Sequence, residues 1–318
     1  MPSHPFGNDP GKIERYRAFW NRDEVERPMI GFSRVGWFPL TYFSACASWK
    51  LHDLITPSML NPEQWSDDYE GLLREGVEIT DEILRGACPI QVAFPCFLTA
   101  TLGSAIRVLP GNVMGDERKL SWEQAMSAAD IQRDNPWFEK YLEFADALVD
   151  RSAGRYPVSH GAELGPTDPH GLLRGHTESL FDLTDEPERS AELLMKLGHS
   201  FVLFVKELWR RVPLFHGGYF DAQYQLWSPG STTRMQEDTT AGYSPALYRK
   251  LVQPVDRMIA SQFDNAFMHL HTTSMYLLDA FLEVEEIACF EINIETFNIE
   301  LADMLPFYRM VQEAGTRC

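Results

Sequence analysis

Cations are scarce in this chain. Lysine and arginine together number 28 against 46 aspartates and glutamates, a net charge of −18 over 318 residues. Phosphate backbones and anionic lipid faces repel such a surface, which disfavours nucleic-acid and membrane-surface roles. The five cysteines, Cys46, Cys88, Cys96, Cys289 and Cys318, are odd in number and form no CxxC pair. That excludes a disulfide framework and fits a reducing, cytoplasmic setting. No run of about 18 apolar residues is present, so nothing is expected to span a membrane. The first twenty residues lack the apolar core of a secretory signal. There is no internal repeat, and no GxGxxG or GxxxxGK[ST] follows any expected strand, which disfavours a nucleotide-binding sheet.

What is present is a globular composition, with 44% hydrophobic and 12% aromatic residues, read as one domain over 1–318. A helical or loop segment covers 1–26. Short apolar runs then alternate with helical periodicity. Strands are expected at Met29–Ser33, Pro89–Phe94, Tyr156–His160, Val212–His216, Ala266–His271 and Ala288–Ile292. Their near-continuous apolar character suits parallel strands covered on both faces. Helices open where Asn135 precedes Pro136 and Ser244 precedes Pro245, because a capping side chain takes an orphan N–H and proline has none to lose. Residues 103–134 read as an irregular excursion. Strand followed by helix, six times, means right-handed βαβ units, and a (β/α)8 TIM barrel is the expected fold. At about 30 residues per unit, two units are unaccounted for. The expectation is a barrel truncated after its sixth strand–helix unit, a miscount, or edges covered by a partner.

Chemistry in such barrels gathers at the C-terminal ends of the strands. His160 and Glu163 follow the third expected strand, His216, Tyr219 and Asp221 the fourth. His269 and His271 lie on the fifth and Glu291 on the sixth. Residues i and i+2 of a strand share a side, so His269 and His271 face one space. Two neutral imidazoles and a carboxylate suit a transition metal such as zinc. The expected metal set is therefore His269, His271 and Glu291, with His216 as a second choice; the alternative is ordinary histidines hydrogen-bonded in a polar mouth. His160, His216 and Asp221 are the candidates for acid–base catalysis, since imidazole titrates near neutrality. Arg34, Trp37, Tyr219 and Glu163 are the candidates for substrate contact. Cys96 lacks a nearby base and reads as a small buried residue.

Several segments carry a family likeness: GPTDPHGLLRG (165–175), DEPE (185–188), SPALYRKLVQP (244–254), MHLHTTS (268–274), and Arg27-Pro28 followed by SRVGWFP (33–39). Together they resemble the uroporphyrinogen decarboxylase-like superfamily, which includes the decarboxylases of haem synthesis and zinc-dependent methyltransferases that act with corrinoid proteins. The resemblance implies a TIM barrel of that type, a small-molecule substrate, zinc, a corrinoid protein as partner, and a homodimer. The decarboxylases' two substrate arginines correspond to Ser33 and Trp37, with Arg34 displaced by one, and their catalytic aspartate falls near Phe94-Pro95-Cys96, where none exists. Neutral residues cannot replace guanidinium groups toward a polyanion. The expected activity is therefore a decarboxylase-like enzyme acting on something other than uroporphyrinogen, by metal-assisted methyl or one-carbon transfer. The alternatives are the porphyrin carboxy-lyase itself, or a non-catalytic binding barrel. Where the methyltransferases carry His-x-Cys, this chain has His269-x-His271, a donor pair that makes a harder Lewis acid.

Overall fold

The structure is a computed structural model and describes residues 4–32, 43–89, 97–295 and 300–317. Helices dominate. Asn61 and Asn135 cap the helices Pro62–Gly76 and Pro136–Ser152, each side chain accepting two backbone N–H groups of the first turn. Both helices bury the apolar stripes their periodicity gives, with Trp65, Tyr141 and Phe144 among the most enclosed side chains. The longest helix, Pro187–Trp209, starts at its proline and follows a separate helix, His176–Asp185. Just before Pro254 a wider π-type turn over Tyr248–Val252 leads into the helix Gln253–Ala260.

Eight strands are described, in three sheets. β1 (Leu54–Ile55), β2 (Ile106–Leu109) and β3 (Asn112–Gly115) form an antiparallel sheet. Residues 103–134 are thus an ordered hairpin, followed by a short helix, Trp122–Ala128, with a Ser121/Gln124 capping box. β4 (Gly218–Asp221) and β5 (Leu226–Pro229) make a second antiparallel pair. β6 (Thr232–Gln236), β7 (Asn265–Leu270) and β8 (Ile287–Ile292) form a parallel sheet. The molecule is thus an α/β protein with helices and small sheets. No closed barrel is present among the described residues. No described helix is long and apolar enough to cross a membrane.

Three expected strands need correction. Residues 29–32, the described part of the first, form no strand. Residues 212–216 are not a strand. They connect the long helix to β4 through a turn in which His216 and Gly217 both take positive φ, 52° and 84°. Residues 156–160 form only an isolated parallel bridge, Val158 to Ala87. The expected second strand, 89–94, lies almost wholly outside the described residues. The fifth and sixth expected strands match β7 and β8 to within a residue. Gly315, expected to end the last helix, follows it with φ 73°, and the next turn reaches Arg317, which bridges to Cys289 of β8.

Candidate metal centre

The parallel sheet aligns Gln236, His269 and Glu291 in one row across β6, β7 and β8. Two residues further along stand Asp238, which opens a 3-10 turn just past β6, and His271, whose backbone stays extended past the end of β7. Glu295 follows β8. The C-terminal ends of three adjacent strands thereby deliver two imidazoles and three carboxylates to one cup.

Within it the two Nε2 atoms of His269 and His271 face each other at 3.1 Å. Behind each ring, on the Nδ1 side, sits a carboxylate. Glu291 binds Nδ1 of His269, and Glu295 binds Nδ1 of His271 at 2.8 Å. Glu295 is itself fixed by the Thr272 hydroxyl at 2.7 Å. Asp238 Oδ1 lies 3.6 Å from His271 Nε2. One ligand atom from each of Asp238, His269 and His271 falls within 4.8 Å of the others. In tetrahedral zinc geometry, with Zn–N about 2.0–2.1 Å, two imidazole nitrogens stand about 3.3 Å apart. The donor set therefore fits a divalent ion. The paired carboxylates behind the rings are the outer partners that fix tautomer and orientation in histidine metal sites.

The electrostatics agree. The Asp238 carboxylate facing Nε2, with Glu295 adding to it, raises the His271 pKa to about 9. His269 moves the other way, its pKa lowered mainly by burial. One positive charge thus resides between the two Nε2 atoms in the metal-free protein. Asp238 in turn is held from behind. Its backbone N–H and the Thr239 hydroxyl donate to Asp168 at 3.2 and 2.8 Å. Burial, with Asp238 beside it, raises the Asp168 carboxyl to about 7.

The carboxylate of the set is Asp238 rather than Glu291, because Glu291 occupies the Nδ1 side of the ring, away from the convergent Nε2 atoms. His216 lies in an exposed turn at the opposite end of β4 from Asp221, and its carbonyl accepts from Arg17. It is neither a third ligand nor an acid–base group in the cup. Tyr219 stacks on Trp209 at 3.9 Å and donates to the Trp209 carbonyl. His160 is buried. Its Nδ1 donates to the Gly161 carbonyl at 2.6 Å, its Nε2 accepts from the Arg234 backbone at 3.4 Å, and burial lowers its pKa to about 4. It is neutral and occupied on both nitrogens, which corrects the acid–base expectation. Asp221 and Glu163 are also buried, their pKa values raised by burial to about 6 and about 8. Glu163 accepts from the Leu98 N–H at 3.0 Å. Arg34, Trp37 and Cys96 lie outside the described residues.

Asp238, Glu295, Asp168, Tyr224 and Arg234 were not anticipated. The signal for the first was local: a carboxylate two residues beyond a strand that ends beside an HxH strand.

No family model and no curated protein matches the sequence. Among solved structures the chain is similar to a methyltransferase from Methanosarcina mazei, with a TM-score of 0.60 at 12% identity over 91% of this chain and 76% of that one. At that identity the likeness is one of fold.

Proposed function

We propose that this protein is a divalent-metal-dependent enzyme that performs methyl or one-carbon transfer on a small molecule at the strand ends. The observation that carries the reading is the convergence of His269 Nε2, His271 Nε2 and Asp238 Oδ1, with Glu291 and Glu295 locking the rings from behind. Zinc is the metal this set suits. When bound, it would polarise a coordinated oxygen or sulfur atom of the substrate as a Lewis acid. Three protein ligands leave a position for that atom. Asp238, His271, Glu291 and Glu295 are each partly exposed and form the rim through which substrate enters. Buried His269 forms the inner wall.

The barrel belongs to the same proposal. Parallel bridges from Ala87 to Val158 and from Cys289 to Arg317, and the Ser159 hydroxyl accepting from the Ala222 N–H at 3.1 Å, support successive segments arranged around one axis, as in a (β/α)8 barrel of the uroporphyrinogen decarboxylase type. The fold likeness to a methyltransferase supports methyl transfer over decarboxylation. In this reading a corrinoid protein is the methyl-carrying partner.

The test is metal analysis of the purified protein after zinc loading and desalting. One zinc per chain is expected, lost in His269→Ala and in His271→Ala. Wild-type protein that retains no zinc, iron or manganese after loading ends the proposal.

A further inference from the structure

Beneath the metal-ligand row lies a buried cation. Arg234 is two residues before Gln236 on β6, on the same side of the sheet and about 6–7 Å deeper. It is 1% exposed. A buried guanidinium normally sits against a carboxylate in a two-pronged bond. Arg234 does not. Its hydrogen bonds go to neutral oxygens: the Gln236 side-chain carbonyl, the Glu163 backbone carbonyl at 3.4 Å and the Tyr224 hydroxyl at 3.5 Å. Its Nε has no partner among the described residues.

The neighbours repeat the pattern. Asp221 Oδ2 and Gln223 Oε1 are buried and also without partners. Asp221 uses only Oδ1, which accepts from the Tyr224 N–H at 2.7 Å. Unpartnered buried polar atoms are costly, and several around one loop need a reason. The side chain above them is Tyr224, on the turn between β4 and β5. Its ring lies over the Arg234 guanidinium at 5.3 Å and stacks on His269 at 5.2 Å. Tyr224 therefore separates the unsatisfied floor from the metal-ligand cup.

We propose that the substrate is a small carboxylic acid whose carboxylate docks on the Arg234 guanidinium, displacing Tyr224, while another of its atoms reaches the metal. This rests on the reading of the cup as the substrate site. One carboxylate oxygen takes the free Nε–H and the other a terminal N–H now held by a long bond. A hydroxyl or amino hydrogen elsewhere on the substrate satisfies Asp221 Oδ2. Arg234 is then a specificity-determining residue.

The test compares acetate with its neutral isostere acetamide, by calorimetry, on full-length protein freed of metal with a chelator. Acetate is expected to bind about tenfold or more tightly than acetamide, as a charged two-pronged contact requires. Arg234→Gln should abolish the difference. Arg234→Lys, which keeps the charge without the fork, should reduce it. Equal binding of acetate and acetamide by the wild type overturns the proposal without any variant, so a poorly folded Arg234→Gln does not rescue it. A preference that persists undiminished in Arg234→Lys or Arg234→Gln also overturns it. Zinc stoichiometry on the same preparation is a separate readout: acetate preference without zinc binding sinks the metal reading and leaves the anion subsite standing.

Discussion

The charge between the two imidazoles makes zinc binding a proton exchange. A histidine must be neutral to ligate. In the metal-free protein His271 titrates at about 9, because Asp238 and Glu295 both favour its cation. At pH 7, two units lower, roughly one molecule in a hundred has the neutral ring. His269 starts neutral at that pH and adds no slope. The apparent zinc affinity should therefore rise about tenfold per pH unit from 7 to 9 and flatten above, a total gain of about a hundredfold. About one proton should leave per ion bound.

The measurement is competition against a chromophoric chelator at buffered free zinc, corrected for the chelator's own protonation. Proton release is counted by calorimetry in buffers of different ionisation heat. Asp238→Asn removes the leading cause of the His271 shift, so its slope should move to lower pH while its overall affinity falls. An affinity that is flat between pH 7 and 8.5, with no proton released, would refute both the electrostatic argument and the ligand role of His271.

Other outcomes are fixed by the same geometry. Glu291→Gln and Glu295→Gln should each weaken zinc binding about 10- to 100-fold without unfolding the protein, since each loosens one ring rather than removing a ligand; unchanged affinity in both would show that the outer carboxylates do not orient the site. His216→Ala should leave zinc stoichiometry unchanged and shift stability by less than about 0.5 kcal/mol, because its side chain is exposed in a turn; loss of metal there would restore it as a ligand. Glu163 is raised by burial from 4.5 to about 8. Its folded form keeps a proton the unfolded chain has lost, so its contribution to stability falls as pH rises from 4.5 to 8. Glu163→Gln cannot ionise and should be more stable than wild type at pH 8.5, by roughly 4 kcal/mol, and nearly equal near pH 4.5. Parallel melting curves of the two proteins across that range would count against the buried, protonated state.

How much of this was legible in the sequence depended on which way polar residues point. β7 and β8 are apolar runs, and their limits followed from composition. The pair His269 and His271 followed from strand periodicity alone. β6 reads TTRMQ, and its polar residues disguised it as a loop. Arg234 and Gln236 are polar because they face the interior of the site, so the strand that matters most for the chemistry is the one composition conceals. With β6 missed, Asp238 had no strand end to belong to, and Glu291 was the only carboxylate in view. The reverse error occurred at Val212–His216. In that run only Val212 is buried, beside the end of the long helix, and Leu214 is exposed; the chain turns at His216 and Gly217 before β4 begins. The hairpin in 103–134 was hidden by short strands of four residues, too brief for alternation to register.

The same missed carboxylate decides the character of the site. Imidazole or thiolate at the second position of the HxH strand is only half of the question, because the third ligand sets the charge. The cysteines of known place, Cys46, Cys88 and Cys289, take no part in the cup, and burial pushes the Cys88 thiol well above its usual range. With Asp238 as third ligand, the set carries one negative charge and no thiolate. A divalent ion held there keeps a net positive charge, whereas two or more thiolates would quench it. Such a centre polarises a substrate oxygen strongly and does little to hold a soft thiolate. The raised His271 is the same fact seen without the metal: the carboxylates of this cup demand a positive charge between the two Nε2 atoms, and a proton supplies it until a metal does.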